Sequence, residues 1–145
     1  MDISKIIARA HRLSHISIAH ALKGMDIKPG LYMYVLCICD HGGISQEELA
    51  AELLVDKSSA AKAVKLLIAD GFIDRKQNEQ DKRAYHLYPS PKAKEYYPII
   101  QKARESAQKE LLSGMTPVEA DFFIRLLEKL NVERKFLTAS DESLP

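Results

Sequence analysis

The chain has 145 residues, 46% of them hydrophobic and 28% charged, with a formal net charge of +1. That length supports one domain with its own core, and the composition is that of a folded globular protein, which excludes a disordered or fibrous chain. No apolar run approaches the roughly 20 residues that span a bilayer, and Met1-Asp2-Ile3-Ser4-Lys5 lacks the basic start and cleavage site of a secretory leader, so a cytoplasmic protein without a membrane partner is expected.

Periodicity and punctuation predict six helices and one hairpin. Ile3, Ile6, Ile7, Ala10 and Leu13 recur on one helical face, giving a first helix over residues 3–22 that Gly24 ends. His11 and His15 stand four apart on it, a spacing that can hold a metal. No carboxylate or cysteine can be placed beside them, so ordinary surface or interface histidines are expected and no metal site is assigned. A second helix, 29–39, is apolar almost all round (Leu31, Met33, Val35, Leu36, Ile38) and should be central. Its Cys37 and Cys39 are two residues apart, which on a helix points them to different faces, as buried unpaired thiols.

Residues 44–90 carry the functional signal. Ser45 with Glu48 three residues on is a capping box that opens a short third helix. Leu54-Val55-Asp56 makes a tight turn, and Asp56 caps a fourth helix. Ala60, Ala63, Val64, Leu67 and Ile68 form that helix's buried stripe, while Ser58, Lys62 and Lys65 recur on its other side until Gly71 ends it. Strands over 73–77 and 84–88 follow, joined by the polar tip Asn78-Glu79-Gln80-Asp81-Lys82-Arg83. Short helix, turn, second helix and basic hairpin, in that order, make a winged helix-turn-helix. Between residues 56 and 92 eight basic residues face five acids, a local excess of three positive charges that the whole-chain sum hides.

Ser90-Pro91 restarts a helix to about residue 113, with Tyr96, Ile99, Ile100, Ala103, Ala107 and Leu111 on its apolar side. Thr116-Pro117-Val118-Glu119 is a second capping box, opening a last helix with Phe122, Phe123, Leu126, Leu127, Leu130 and Phe136. The tail after Leu137 is polar and expected to fray. The first, fifth and last helices carry apolar stripes wider than one small domain can cover. Leaving large side chains wet forfeits roughly 1.5–3 kcal/mol each, so a symmetric dimer is expected, presenting two reading helices to half-sites about 34–36 Å apart.

With these motifs in order, the chain resembles the MarR family of bacterial transcriptional regulators over nearly its whole length. The resemblance rests on Gly42-Gly43-Ile44-Ser45-Gln46-Glu47-Glu48-Leu49-Ala50, Val55-Asp56-Lys57-Ser58-Ser59, Leu67 through Gly71-Phe72-Ile73-Asp74-Arg75, and Asn78 through Ala84. It implies one MarR-type domain in which residues 1–24 and 91–137 form dimerisation helices, 29–90 the DNA-binding lobe and 138–145 a tail. It also implies an obligate, roughly triangular homodimer on a pseudo-palindromic double-stranded DNA operator, usually as a repressor relieved by a small phenolic or lipophilic ligand, an oxidant or a metal. In the family's acidic-x-Arg wing motif, here Asp81 and Arg83, the carboxylate braces the wing and the arginine enters the minor groove. No cofactor is implied.

On the residues themselves, Ser58, Ser59 and Lys62 are the candidates for the major groove, with Lys57 and Lys65 nearer the phosphates and Arg75, Lys82 and Arg83 on the wing. A solvated face is the bland reading of the three lysines; the wing tips the balance to DNA. A narrow A·T-rich minor groove concentrates negative potential and draws in an arginine. Two departures stand out. Ser58-Ser59-Ala60-Ala61-Lys62 replaces the family's frequent Ser-Thr-Val-Thr-Arg, removing a hydroxyl and a bidentate guanidinium, and Pro89 replaces a leucine, which predicts an early strand end. The family's peroxide sensors carry a cysteine early in the first helix, absent here. A small-molecule pocket between the dimer helices and the lobe is the expected switch, with His15, Tyr32 and Met33 as candidate lining. No nucleophile elbow, phosphate loop or metal motif points to an enzyme. The rival is a winged-helix protein-protein module, whose wing would lack basic residues.

Overall fold

The computed structural model describes residues 1–130. Phe136, Leu137 and the tail 138–145 lie outside the described residues. Among the described residues six helices and three short strands follow one another as α1 (Ile3–Ala21), α2 (Tyr32–Asp40), β1 (Ile44–Ser45), α3 (Gln46–Glu52), α4 (Lys57–Ala69), β2 (Ile73–Gln77), β3 (Tyr85–Pro89), α5 (Pro91–Leu111) and α6 (Pro117–Lys129). The fold is therefore mostly helical with a small antiparallel sheet, as the winged helix-turn-helix reading requires. Among the described residues no helix is long and apolar enough to cross a membrane.

The chain divides into two compact units, Met1–Gln108 and Lys109–Pro145. In the first, α2 is central as expected, burying Tyr32, Tyr34, Val35, Leu36, Cys37 and Ile38. Around it pack Leu49 of α3, Val64 and Leu67 of α4, Phe72 ahead of β2, Leu87 of β3 and Ile100 of α5. Most of these are wholly dry, so each contributes on the order of 1.5–3 kcal/mol by burial. In the second unit, Thr116 and Glu119 exchange hydrogen bonds in a complete capping box at the start of α6, and Arg125 pairs with Asp121 one turn earlier at 3.0 Å.

The structure revises several sequence expectations. The second helix begins at Tyr32, not at residue 29, because Gly30 takes a left-handed φ of +83° and turns the chain first. The hairpin is the larger part of a three-stranded sheet ordered β1-β3-β2. The added strand, Ile44–Ser45, is too short to show any period. At α3 the forward half of the expected box is present, with Ser45 Oγ accepting the Glu48 N–H at 3.0 Å. Ile68 lies at the edge of the α4 stripe and is exposed, as are Ile99 and Leu111 of α5.

Pro89 does not end its strand early. It pairs with Ile73 as the last residue of β3. The Ser90 N–H donates to Phe72 O at 2.9 Å, so by antiparallel alternation the even-numbered residues of β3 turn their N–H groups toward β2. The Pro89 nitrogen therefore points the other way, past the end of two-residue β1, where no ladder bond is lost.

Candidate nucleic-acid interface

Asp56 organises the start of α4. Its carboxylate accepts the Ser59 N–H at 2.7 Å and the Ser59 hydroxyl at 2.8 Å, and these bonds hold its pKa below the usual aspartate value. The cap sets the orientation of the first turn, in which Lys57, Ser58 and Ser59 are exposed, followed by Ala61, Lys62 and Lys65 on the same outer side. Ser59 is changed in kind by this contact: with its one proton given to Asp56, it meets an outside group only as an acceptor. The turn before α4 passes through Leu54, whose φ of +54° is left-handed and whose side chain is 53% exposed.

The wing is ordered from within. Asn78 Oδ1 accepts the Gln80 N–H at 2.9 Å, the Asn78 N–H donates to Ala84 O at 2.9 Å, and the Ala84 N–H donates to Asp81 O at 3.0 Å. Asp81 Oδ1 accepts the backbone N–H of Arg83 at 3.0 Å. Asp81 thus braces the loop through the arginine's backbone, leaving the exposed Lys82 and Arg83 at the tip. Arg75 lies over the Tyr85 ring at 4.3 Å and Lys76 over the Tyr88 ring at 4.9 Å, so both stems lie flat on the sheet.

One basic residue of the stretch 56–92 is taken out of the patch. Lys92 Nζ donates to Asp26 at 2.6 Å and to the Asp70 carbonyl at 2.9 Å, over the Phe72 ring. It closes the C-terminal end of α4 and has no place on the exposed basic surface. His86 was not foreseen. Its Nδ1 lies 2.8 Å from Gly43 O and its Nε2 3.1 Å from Asn78 Nδ2. No sequence signal marks it, because its partner Gly43 is 43 residues away.

Away from the wing, the structure brings together two of the three residues expected to line a ligand pocket. Tyr32 Oη and His15 Nδ1 are 2.8 Å apart. His11 meets His15 edge to face at 4.3 Å. Burial, and then the neighbouring His11, lower the His15 pKa; burial raises that of Tyr32, against the opposing charge of Arg104. Met33 is half-buried against the core. Among the described residues no group of three or more His, Cys, Asp or Glu could hold a metal ion. Cys37 is buried, its thiol pushed up to about 11 chiefly by desolvation, and Cys39 is half-buried with its thiol also raised; both are unpaired.

A capped helix-turn-helix joined to a three-stranded sheet whose hairpin has a polar basic tip defines a winged helix-turn-helix protein. Comparison with known proteins narrows the class. The MarR family model matches residues 27–85. The HTH-type transcriptional regulator YybA of Bacillus subtilis is 37% identical over 114 residues, 77% of this chain and 76% of that one. The HTH-type transcriptional regulator BilQ of Clostridium symbiosum is 34% identical over 109 residues, 75% and 76% of the two chains. Among solved structures, a MarR family transcriptional regulator from Listeria monocytogenes in complex with a 26mer DNA superposes with a TM-score of 0.80 at 32% identity, covering 90% of this chain and 87% of its own. The chain belongs to the MarR family of transcriptional regulators.

Proposed function

We propose that the protein is a homodimeric repressor that binds a pseudo-palindromic DNA operator and leaves it when a small ligand binds. The observation that carries this reading is the pairing, on one lobe, of a capped helix exposing Ser58, Ser59, Lys62 and Lys65 with a wing tip exposing Lys82 and Arg83. The Listeria regulator of the same fold, solved on DNA, supports it. In this reading α4 enters the major groove, Lys57 and Lys65 lie near phosphates, and Arg83 reaches into the minor groove. Readout by α4 is modest: Ala61 offers no hydroxyl, Ser59 only accepts, and Lys62 is a point charge. Phosphate contact and the wing therefore carry much of the affinity. Arg75, stacked on Tyr85, serves the wing's flank.

Dimerisation through residues 1–24 and 91–137 is supported by the apolar residues left in water. Ile6 of α1 is 54% exposed and Phe122 of α6 is 63% exposed, more than an isolated folded chain would leave uncovered along two helices. The half-buried Tyr32–His15 contact is where a lipophilic effector would act in this reading.

The test is operator binding against ionic strength, using duplexes selected from the source genome. Affinity should fall steeply as salt rises, because phosphate contacts release counterions. Arg83→Ala should lose about 1–3 kcal/mol of operator binding with the dimer intact, the scale of a specific DNA contact. A flat salt response would favour a protein-protein module, and unchanged affinity in that variant would refute the wing assignment.

A further inference from the structure

We infer that His86 is the positioning residue of the wing, a relay that ties the arginine tip to the turn between α2 and β1. The inference rests on the reading that Arg83 contacts DNA, and it adds the device that holds Arg83 in place.

The hydrogen-bond pattern has a single self-consistent solution. Gly43 O can only accept, so His86 Nδ1 carries the proton and donates across 2.8 Å. The Asn78 carbonyl oxygen is committed to the N–H groups of Gln80 at 2.9 Å and Asp81 at 3.4 Å. Its amide nitrogen therefore faces His86 Nε2 and donates to it across 3.1 Å. Neutral His86 in its Nδ1–H form is the one state that satisfies both sides.

These contacts make a continuous chain from turn to tip: Gly43 to His86, His86 to Asn78, Asn78 to Gln80 and Asp81, and Asp81 to the Arg83 backbone. Tyr88 supports the anchored end. Its ring edge stands so near Gly43 that an added Cβ would meet the hydroxyl at 3.4 Å, and Gly43 itself has a φ of +92°. Opposite His86 in the sheet stand Ser45 on β1 and Lys76 on β2, the latter laid over Tyr88. A two-stranded ribbon projecting from a small sheet is marginal alone, and the relay is what reaches from its tip back to the body of the lobe.

The test compares operator affinity of the full-length dimer for wild type, His86→Ala, Asn78→Ala, the double variant, His86→Gln and Arg83→Ala. His86→Ala and Asn78→Ala should each weaken binding about threefold to tenfold, the order of one net hydrogen bond, with the dimer intact. The double variant should be no weaker than either single one, since both cut the same chain. His86→Gln should restore most of the affinity, because one amide can donate to Gly43 and accept from Asn78. Nitrogen NMR of the free protein should show the Nδ1–H tautomer at His86. Wild-type affinity in His86→Ala alongside a loss in Arg83→Ala would overturn the relay alone, as would the Nε2–H tautomer. Wild-type affinity in both would overturn the wing reading and the relay with it. Should His86→Ala fail to fold, Asn78→Ala and the tautomer decide the matter.

Discussion

Asp56 and Leu54 stand two residues apart and act in opposite senses on the turn that launches α4. The Asp56 carboxylate is held below its usual pKa first by the Ser59 backbone N–H and then by the Ser59 hydroxyl. A depressed folded-state pKa means that the cap contributes fully above the ordinary aspartate range and is lost as pH falls through the folded value. The melting-temperature advantage of wild type over Asp56→Ala should therefore be present at neutral pH and vanish on acidification, which melting curves across a pH series would show. Leu54 works against the fold, since its left-handed φ of +54° brings Cβ close to the next carbonyl oxygen and costs roughly 1–2 kcal/mol. Glycine relieves that strain but frees the unfolded chain by roughly 0.5–1 kcal/mol. Leu54→Gly should thus raise the unfolding free energy by up to roughly 1.5 kcal/mol in urea. Equal or lower stability would show that the exposed leucine makes contacts worth keeping.

At the scale of elements, polar side chains tie the ends of helices to their neighbours across the joints of the fold. Ser90 is the buried polar residue at one of them. Its hydroxyl donates to Gly71 O at 2.7 Å and accepts the Ala93 N–H at 3.2 Å, joining the end of α4 to the start of α5. Ser90→Ala loses both bonds and leaves the Gly71 carbonyl short of a partner, so a loss of about 1–2 kcal/mol is expected on denaturant unfolding. A change near zero would mean that the joint is made by packing alone. Beside it, Lys92 ties Asp26 to the carbonyl of Asp70, the cap residue just past α4, and Lys28 reaches the Asp70 carboxylate at 3.2 Å. The capping hydroxyls and acids of α3, α4 and α6 were legible in the sequence because each bond spans three residues. The Lys92 and His86 contacts were not, because their partners are far along the chain and no periodicity connects them.

For the molecule as a whole, the question is what covers the apolar residues of α1 and α6. Ile3, Ile6, Leu13 and Ile16 are exposed on the first, and Val118, Phe122, Leu126 and Leu130 on the last. If a second copy covers them, Phe122→Lys should convert the dimer to a monomer by light scattering. It should also weaken operator binding by more than about tenfold, because two half-sites can no longer be gripped together. A variant that remained dimeric would place the interface elsewhere.

Sequence by itself determined the order and type of the helices, the caps, the hairpin and the basic tip, because all of these are local: side-chain periods, three-residue caps and turn residues are written in consecutive positions. Only the tertiary structure decided that Ile44 and Ser45 add a third strand, that Pro89 stays within its strand, and that Lys92 is spent on Asp26. The same holds for the anchoring of the wing to Gly43 through His86. Each of these depends on which distant backbone groups meet once the core has closed, and a hydrogen bond between groups far apart in the chain leaves no mark on either one's neighbours.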